Sequence, residues 1–362
     1  MLSSLFGKKP VSHAVRLAPS GVGFTAAPKE TLLQAALNQG IAFPHSCRAG
    51  RCGSCKCRLV KGKVKELTDT SYLLSAEEIR DNYVLACQSV PQSDVEVEVA
   101  LGTVGAMQAV SACGGRVTAL LPLTHDILHV HVELERPLSF QPGQYAEVAA
   151  RTGSAAGVTR NYSFANVPKA SGTTRQLEFF VRRVPGGRFT EWLFGEARTG
   201  DVLDVSAPHG DFVLRASDAP MLCIAGGSGL APLLSMLRGA LATQRRPREV
   251  ALVFGARTRA DLYMTDAIEA LRSEWPVRFD FVPVLSAEPA DSDWAGRRGF
   301  IADHLHDVLG DAIATQQAYL CGPPAMVDTC AAALVGAGVP TGEIHADRFL
   351  DQSHAGATRK VA

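Results

Sequence analysis

The stretch that most constrains this chain is HSCRAGRCGSCKCRL, residues 45–59, which sets Cys47, Cys52, Cys55 and Cys57 close together with small residues between them. Thiols this dense serve as disulfides, as zinc ligands or as ligands of an iron–sulfur cluster. The chain has nine cysteines, an odd number. Its N-terminal MLSSLFGKKP lacks the long apolar core and small-residue cleavage site of a signal peptide. A cytoplasmic location is therefore expected, and in a reducing compartment close cysteines act as metal ligands or redox groups rather than disulfides.

Structural zinc usually takes two short Cys–Cys pairs, and only Cys52 and Cys55 form a C-x2-C pair here. Cys47, Cys52 and Cys55 follow C-x4-C-x2-C, the ligand run of a 2Fe–2S cluster that needs one more distant cysteine. Cys87, in YVLACQS, supplies it. Ala49, Gly50, Gly53 and Ser54 are small enough to let the loop wrap the cluster and turn amides toward its sulfurs. Cys57 opens the apolar run KCRLV and is expected to be a buried bystander. Arg48, Arg51, Lys56 and Arg58 surround the run with positive charge, either a solvated rim or a docking face for an acidic partner.

Three blocks divide the 362 residues, and 46% hydrophobic content gives each enough to bury a core. Residues 1–102 hold the cysteines and end in the alternating DVEVEVAL. A small, uncharged stretch, 103–115, reads as a linker. Residues 116–216 carry short β signals such as ILHVHVEL and LEFFVRRV between Gly/Pro turns, the pattern of an antiparallel barrel or sandwich. From 217 to 349 buried-strand runs alternate with helical ones (MLCIAG then LAPLLSMLRGALA, QAYLCG then PAMVDTCAAALVGAG), as in βαβ units on a parallel sheet. EIHADRF adds a possible last strand, and 350–362 reads as a tail. Lysine plus arginine equals aspartate plus glutamate, 36 each. That balance argues against a nucleic-acid or membrane-surface protein. No uncharged apolar run approaches the roughly 18 residues of a spanning helix. The ten histidines show no ligand or triad pattern, and none is assigned chemistry.

Four further segments carry weaker signals. In RNYSFAN (160–166) period two sets Arg160 and Tyr162 on one side of an extended run, a cation for phosphate and a ring face for a planar group. PGGRFTEWLF (185–194) puts Gly186 and Gly187 before a helix, either an ordinary turn or a phosphate cradle. AGGSGLAP (225–232) follows a strand and opens a helix, but it reads G-x-G-x-x-P rather than G-x-G-x-x-G. LCGPPAM ends another strand at the same sheet edge, where α/β ligands sit. Cys321 within it is either a core thiol or a site residue.

The first block resembles the plant-type ferredoxins, which implies a β-grasp fold and the ligand set Cys47, Cys52, Cys55 and Cys87. Taken in order, the ferredoxin motif, RNYSFAN, PGGRFT, GGSGLAP, CGPPAM and IHADRF resemble the ferredoxin–NADP reductase superfamily. They are most similar to the ferredoxin-fused, NADH-dependent reductase components of bacterial oxygenases, among them benzoate dioxygenase reductase and phenol hydroxylase reductase. The resemblance implies a multidomain fold: an N-terminal β-grasp ferredoxin, an antiparallel β-barrel FAD domain and an α/β parallel-sheet NAD domain. It places Arg160 at the FAD pyrophosphate, Tyr162 on the isoalloxazine and Ser163 near N5. Gly186, Gly187 and Thr190 would hold the FAD phosphates. Gly227, Gly229, Pro232 and Gly322 would lie against the nicotinamide nucleotide, with Cys321 near its reactive carbon and Asp347 and Phe349 in a C-terminal segment approaching the flavin. Ser163 and Cys321 are the residues it places nearest the chemistry.

The activity so implied is transfer of electrons from NADH through FAD to the 2Fe–2S cluster and on to a terminal oxygenase. FAD is expected over FMN because the FMN-type reductases carry their ferredoxin last. Arg257 and Arg259, in FGARTRADLY, could meet a 2′-phosphate, yet arginines occur there in NADH-using relatives too, and NADH is expected. Two rival readings differ in what they predict. One keeps the electron chain and changes the acceptor, for instance to a deoxysugar dehydratase. The other is a colourless, zinc-binding interaction protein.

Overall fold

The computed structural model of the protein describes residues 11–45, 50, 53, 55–68, 70, 74, 76–99, 110–170, 172–243 and 248–349. The chain divides into two compact units, Met1–Met107 and Gln108–Ala362.

The first unit contains β1 (His13–Ala18), β2 (Gly23–Ala26), α1 (Leu32–Asn38), β3 (Lys56–Lys61), β4 (Val64–Glu66), α2 (Ala76–Arg80), β5 (Tyr83–Leu85), β6 (Ser89–Pro91) and β7 (Val95–Glu98). Its main sheet runs β2-β1-β7-β3-β5. The β1–β7 pair is parallel and the other pairs are antiparallel. Alternation in β1 buries Val15 and Leu17 against α1 and exposes Arg16. The Thr31 hydroxyl caps α1 by accepting the Gln34 N–H at 3.2 Å, and Leu32, Leu33, Ala35 and Ala36 form the helix's buried side. One helix packed over a mixed sheet with a central parallel pair is the β-grasp arrangement.

The second unit opens with six antiparallel strands: β8 (Ser111–Pro122), β9 (Ile127–Leu138), β10 (Tyr145–Ala150), β11 (Thr159–Ser163), β12 (Thr174–Arg182) and, after α3 (Arg188–Gly195), β13 (Val202–His209). Their order is β11-β10-β13-β8-β9-β12. A bridge between Phe164 and Phe179 joins the two outer strands and closes the sheet into a barrel. Strand β8 begins at Ser111, inside the stretch read as linker. Gly114 and Gly115 are strand residues because β9 lies too close for a side chain: a Cβ on Gly115 would sit 2.6 Å from Val132 Cγ1.

The remaining elements are β14 (Met221–Gly226), α4 (Leu230–Thr243), β15 (Val250–Ala256), α5 (Thr265–Glu274), β16 (Phe279–Leu285), β17 (Arg297–Arg298), α6 (Leu305–Leu309), β18 (Gln317–Gly322), α7 (Pro324–Gly336) and β19 (Ile344–Arg348). They build a parallel sheet ordered β17-β16-β15-β14-β18-β19. Every residue of β14 and β18 is buried, as central strands covered on both faces require. The chain steps outward from β14 to β17 on one side and then crosses to β18 and β19 on the other. The reversal leaves a crevice beyond the carboxyl ends of β14 and β18. The barrel packs on this domain through shared core: Ile127, Ala165, Phe180 and Phe212 cluster with Leu230, Leu234, Phe254 and Tyr263.

Candidate functional site

In the ferredoxin unit Cys47 and Cys52 lie outside the described residues, and Cys55 and Cys87 lie within them. Pairing of Lys56 with Leu85 brings the start of β3 beside the turn Ala86–Gln88 and so brings the two cysteines together. Both are buried, and neither is in a disulfide. The Cys87 N–H points at Cys55 Sγ (3.5 Å), the Gly50 N–H donates to Cys87 Sγ (3.2 Å), and Gln88 Nε2 lies 3.7 Å from the same sulfur. Sulfurs surrounded by donors suit thiolates that hold iron, because each N–H stabilises charge on sulfur. Gly50 has φ +71°, and a Cβ there would fall 2.6 Å from Gln88 Cγ, so glycine is needed for the loop to close on Gln88. Cys57 packs away from this donor set against Val84. Burial, with a smaller contribution from Cys87, pushes its thiol up to about 12, so it stays protonated and inert.

The barrel supplies the second set of residues. In β11, Arg160 pairs across to Val148 and Tyr162 to Ala146, so the cation and the ring share one face. No carboxylate of a described residue pairs with the Arg160 guanidinium; among the described residues its hydrogen bond goes from Nη1 to the Thr159 carbonyl at 2.7 Å. Burial lifts the Tyr162 phenol above its ordinary range. Its ring lies 5.5 Å from Phe189 and 6.2 Å from Phe179, which ties β11 to the first turn of α3. Gly187 caps α3 without any side-chain acceptor, so first-turn N–H groups are available to an anion. Gly186, at φ +72°, has open space where a Cβ would be. Thr190 is occupied in building this turn: its hydroxyl accepts the Val184 N–H and stands 3.1 Å from the Val184 and Gly187 carbonyls. Ser163 is buried at the end of the strand.

The third set surrounds the crevice of the parallel sheet. Gly227 has φ +54°, and Gly229 leads into α4, whose first residues, including Pro232, are buried. A Cβ on Gly229 would stand 2.2 Å from the Cys321 carbonyl oxygen, and one on Gly322 would stand 2.8 Å from the Gly226 carbonyl. These glycines let two strand ends meet backbone to backbone, and only Gly227 opens onto space, with Arg182 Cδ the nearest atom at 3.9 Å. Cys321 is fully buried; burial first, then Asp347 across the β18–β19 pair, hold its thiol well above the ordinary range. It is a neutral, compact neighbour rather than a nucleophile. The Phe349 N–H donates to the Gly322 carbonyl at 2.8 Å, which brings the chain's last described residue to the crevice.

Three residues that no motif marks hold these parts together. Tyr263 donates its hydroxyl to the Gly227 carbonyl at 2.9 Å from a buried position between Phe180 and Phe254. From α4, Ser235 donates to the Asn166 carbonyl at 2.6 Å, and Arg238 Nη1 donates to the Ala165 carbonyl at 3.1 Å. The segment that follows Ser163 is thus fastened to the helix that follows the glycine turn. Their signal in the sequence is absent because each acts on a backbone carbonyl far along the chain.

Comparison with known proteins matches all three parts. The 2Fe-2S iron-sulfur cluster binding domain matches residues 15–92, the oxidoreductase FAD-binding domain residues 115–214 and the oxidoreductase NAD-binding domain residues 223–332. The chain is 42% identical over 352 residues to the xylene/toluene monooxygenase electron transfer component XylA of Pseudomonas putida, covering 97% of each. It is 34% identical over 344 residues to the phenol 2-monooxygenase reductase component DmpP of Pseudomonas sp. strain CF600, covering 94% of this chain and 95% of that protein. Among solved structures it is similar to the Amycolatopsis cytochrome P450 reductase GcoB, with a TM-score of 0.77, 36% identity and coverage of 93% and 98%.

Proposed function

The chain belongs to the ferredoxin-fused reductase components of the ferredoxin–NADP reductase superfamily, and on that premise we propose that it carries electrons from NADH to a separate terminal oxygenase of the aromatic-ring dioxygenase or monooxygenase type. The observation that carries this reading is the fastening of the RNYSFAN segment to α4 through Ser235 and Arg238, which sets a flavin motif and a nicotinamide turn on one rigid seam. FAD, when bound, supplies the conversion between the two-electron chemistry of NADH and the one-electron chemistry of an iron–sulfur cluster.

The chain's own residues bind and orient. The first turn of α3, opened by Gly186 and Gly187 and shaped by Thr190, together with Arg160, takes the FAD phosphates. Tyr162 offers its ring to the flavin and Ser163 its hydroxyl. Gly227, Gly229, Pro232 and Gly322 shape the nicotinamide side, Cys321 fills the floor without carrying charge, and Asp347 and Phe349 close the edge. Cys47, Cys52, Cys55 and Cys87 hold the cluster. The functional division we propose is ferredoxin 1–102, linker 103–115, whose residues from Ser111 already belong to β8, FAD domain 116–216, NAD domain 217–349 and tail 350–362.

NADH is favoured over NADPH by what surrounds Arg259. Its guanidinium pairs with Asp293 at 3.2 Å, and the Arg259 backbone N–H donates to Glu288 at 2.8 Å. Paired in this way, Arg259 is less available to a 2′-phosphate. No helix among the described residues is long and apolar enough to cross a membrane. The likeness to oxygenase reductase components supports a cytoplasmic partner of the oxygenase.

The test is the visible spectrum of anaerobic protein before and after NADH. Flavin and iron–sulfur bands that bleach support the reading, and a colourless, zinc-containing protein overturns it. Adding an oxygenase and, separately, a deoxysugar dehydratase while following NADH use distinguishes the two acceptors.

A further inference from the structure

Away from the nucleotide crevice the barrel gathers a second set of ligating side chains. Strand β9 carries His129 and His131 two residues apart, which turns both imidazoles to one face. In the neighbouring β12, Glu178 lies opposite His131, and Phe180 lies opposite His129. The donor atoms of His129, His131 and Glu178 all lie within 4.8 Å of one another. His129 Nε2 is 2.9 Å from a Glu178 carboxylate oxygen, and the two imidazole centroids are 4.0 Å apart. His131 Nε2 is buried and has no hydrogen-bond partner, which a buried nitrogen rarely tolerates.

We infer that His129, His131 and Glu178 form a binding site for a divalent transition-metal ion of the zinc class. Two imidazoles and a carboxylate are a donor set that zinc takes in open sites, with water in the fourth position. His131 and Glu178 stand in the form that ligates, and His129 reaches it when it gives up the proton it shares with Glu178. Burial, reinforced by His129, holds the His131 imidazole down and neutral. The hydrogen bond from His129 holds the Glu178 carboxyl below its usual range against the opposing effect of burial. Zinc–ligand bonds of about 2.0–2.1 Å set tetrahedral donors roughly 3.4 Å apart, so the ion enters by parting the His129–Glu178 contact and drawing His131 in. The proton shared in that contact leaves when the ion binds. The edge of Phe180, 5.1 Å from the His129 centroid, supports that ring. Side-chain exposures of 12% for His129 and 27% for Glu178 leave an entry path. Arg238 also faces the Glu178 carboxylate and opposes an incoming cation, so the affinity is moderate rather than extreme. An ion here ties β9 to β12, which places its effect on the stability of the barrel rather than on electron flow.

Zinc chloride titrated calorimetrically into the full-length holoprotein tests this, with His131→Asn and Glu178→Gln as the comparison. Zinc can also meet the chain's thiols, so the readout is the difference between proteins. The wild type is expected to take up one more zinc ion per chain than either variant, or to bind it at least about tenfold more tightly. Zinc should raise the temperature of flavin release in the wild type and leave both variants unmoved. Unchanged flavin and iron–sulfur bands show that the variants are folded. Identical titrations in all three proteins, or a wild type whose melting ignores zinc, would overturn the assignment.

Discussion

Cys55 and Cys87, as proposed cluster ligands, act through side-chain atoms, two sulfurs at the start of β3 and in the turn Ala86–Gln88, with backbone amides aimed at them. The crevice between β14 and β18 works the other way: Gly229 and Gly322 contribute the absence of a side chain, and the contact is main chain against main chain. A centre of the first kind fails when one ligand atom is lost and tolerates change beside it. A centre of the second kind fails when one methyl is added and has no single chemical group to remove.

The largest expected effect breaks the comparison on its first side. Cys87→Ser should abolish the iron–sulfur bands and lower electron delivery to a one-electron acceptor such as cytochrome c by roughly 100-fold or more, since even outer partners of a metal site are worth up to about that. NADH-driven reduction of ferricyanide, read on the same sample, should survive because the flavin unit is untouched.

Gly229→Ala tests the other side. Its Cβ would meet the Cys321 carbonyl at 2.2 Å, a backbone atom that cannot swing away. Destabilisation of about 3 kcal/mol, at the upper end for overpacking, is expected in denaturant melts, with loss of NADH-dependent flavin bleaching while the iron–sulfur bands persist. Wild-type NADH kinetics would refute the backbone-contact account.

A finer probe is Tyr263→Phe, which removes one oxygen from a buried site and leaves the Gly227 carbonyl with the Leu230 N–H as its donor. The cost should be about 1 kcal/mol, read as a KM for NADH raised by up to about fivefold with kcat little changed. The smallest effect belongs to Cys57. With its thiol pushed up to about 12, it should resist iodoacetamide at mildly alkaline pH, and Cys57→Ala should leave the visible spectrum as it was. Loss of the cluster in that variant would make Cys57 more than a neighbour.

The same contrast explains what could be read from the residues alone. A ligand run is legible because spacing and chemistry coincide in adjacent letters: C-x4-C-x2-C and a distant Cys87 point to a cluster before any fold is known. Two of those letters, Cys47 and Cys52, lie outside the described residues, so the full ligand set rests on spacing and resemblance. The glycine turn after β14 carries little meaning as G-x-G-x-x-P and acquires it only where the strand order reverses beside β18. RNYSFAN and PGGRFT are ordinary strings without the family they resemble. Tyr263, Ser235 and Arg238 leave no trace, because a hydroxyl or guanidinium that serves a remote carbonyl looks like any other. The start of β8 at Ser111 is hidden by glycines whose reason is the closeness of Val132. The histidines of HVHVEL seem scattered until β12 sets Glu178 beside them.

The bonds from Ser235 and Arg238 to Asn166 and Ala165 span 69 and 73 positions of sequence. Synthesis proceeds from the N-terminus, so a nascent chain completes all six barrel strands before α4 emerges. Until then the segment beyond Ser163 has two carbonyls awaiting their donors. Maturation of the proposed flavin pocket is on this account a late event in biogenesis, timed by delivery of the domain that will later bring it reducing power.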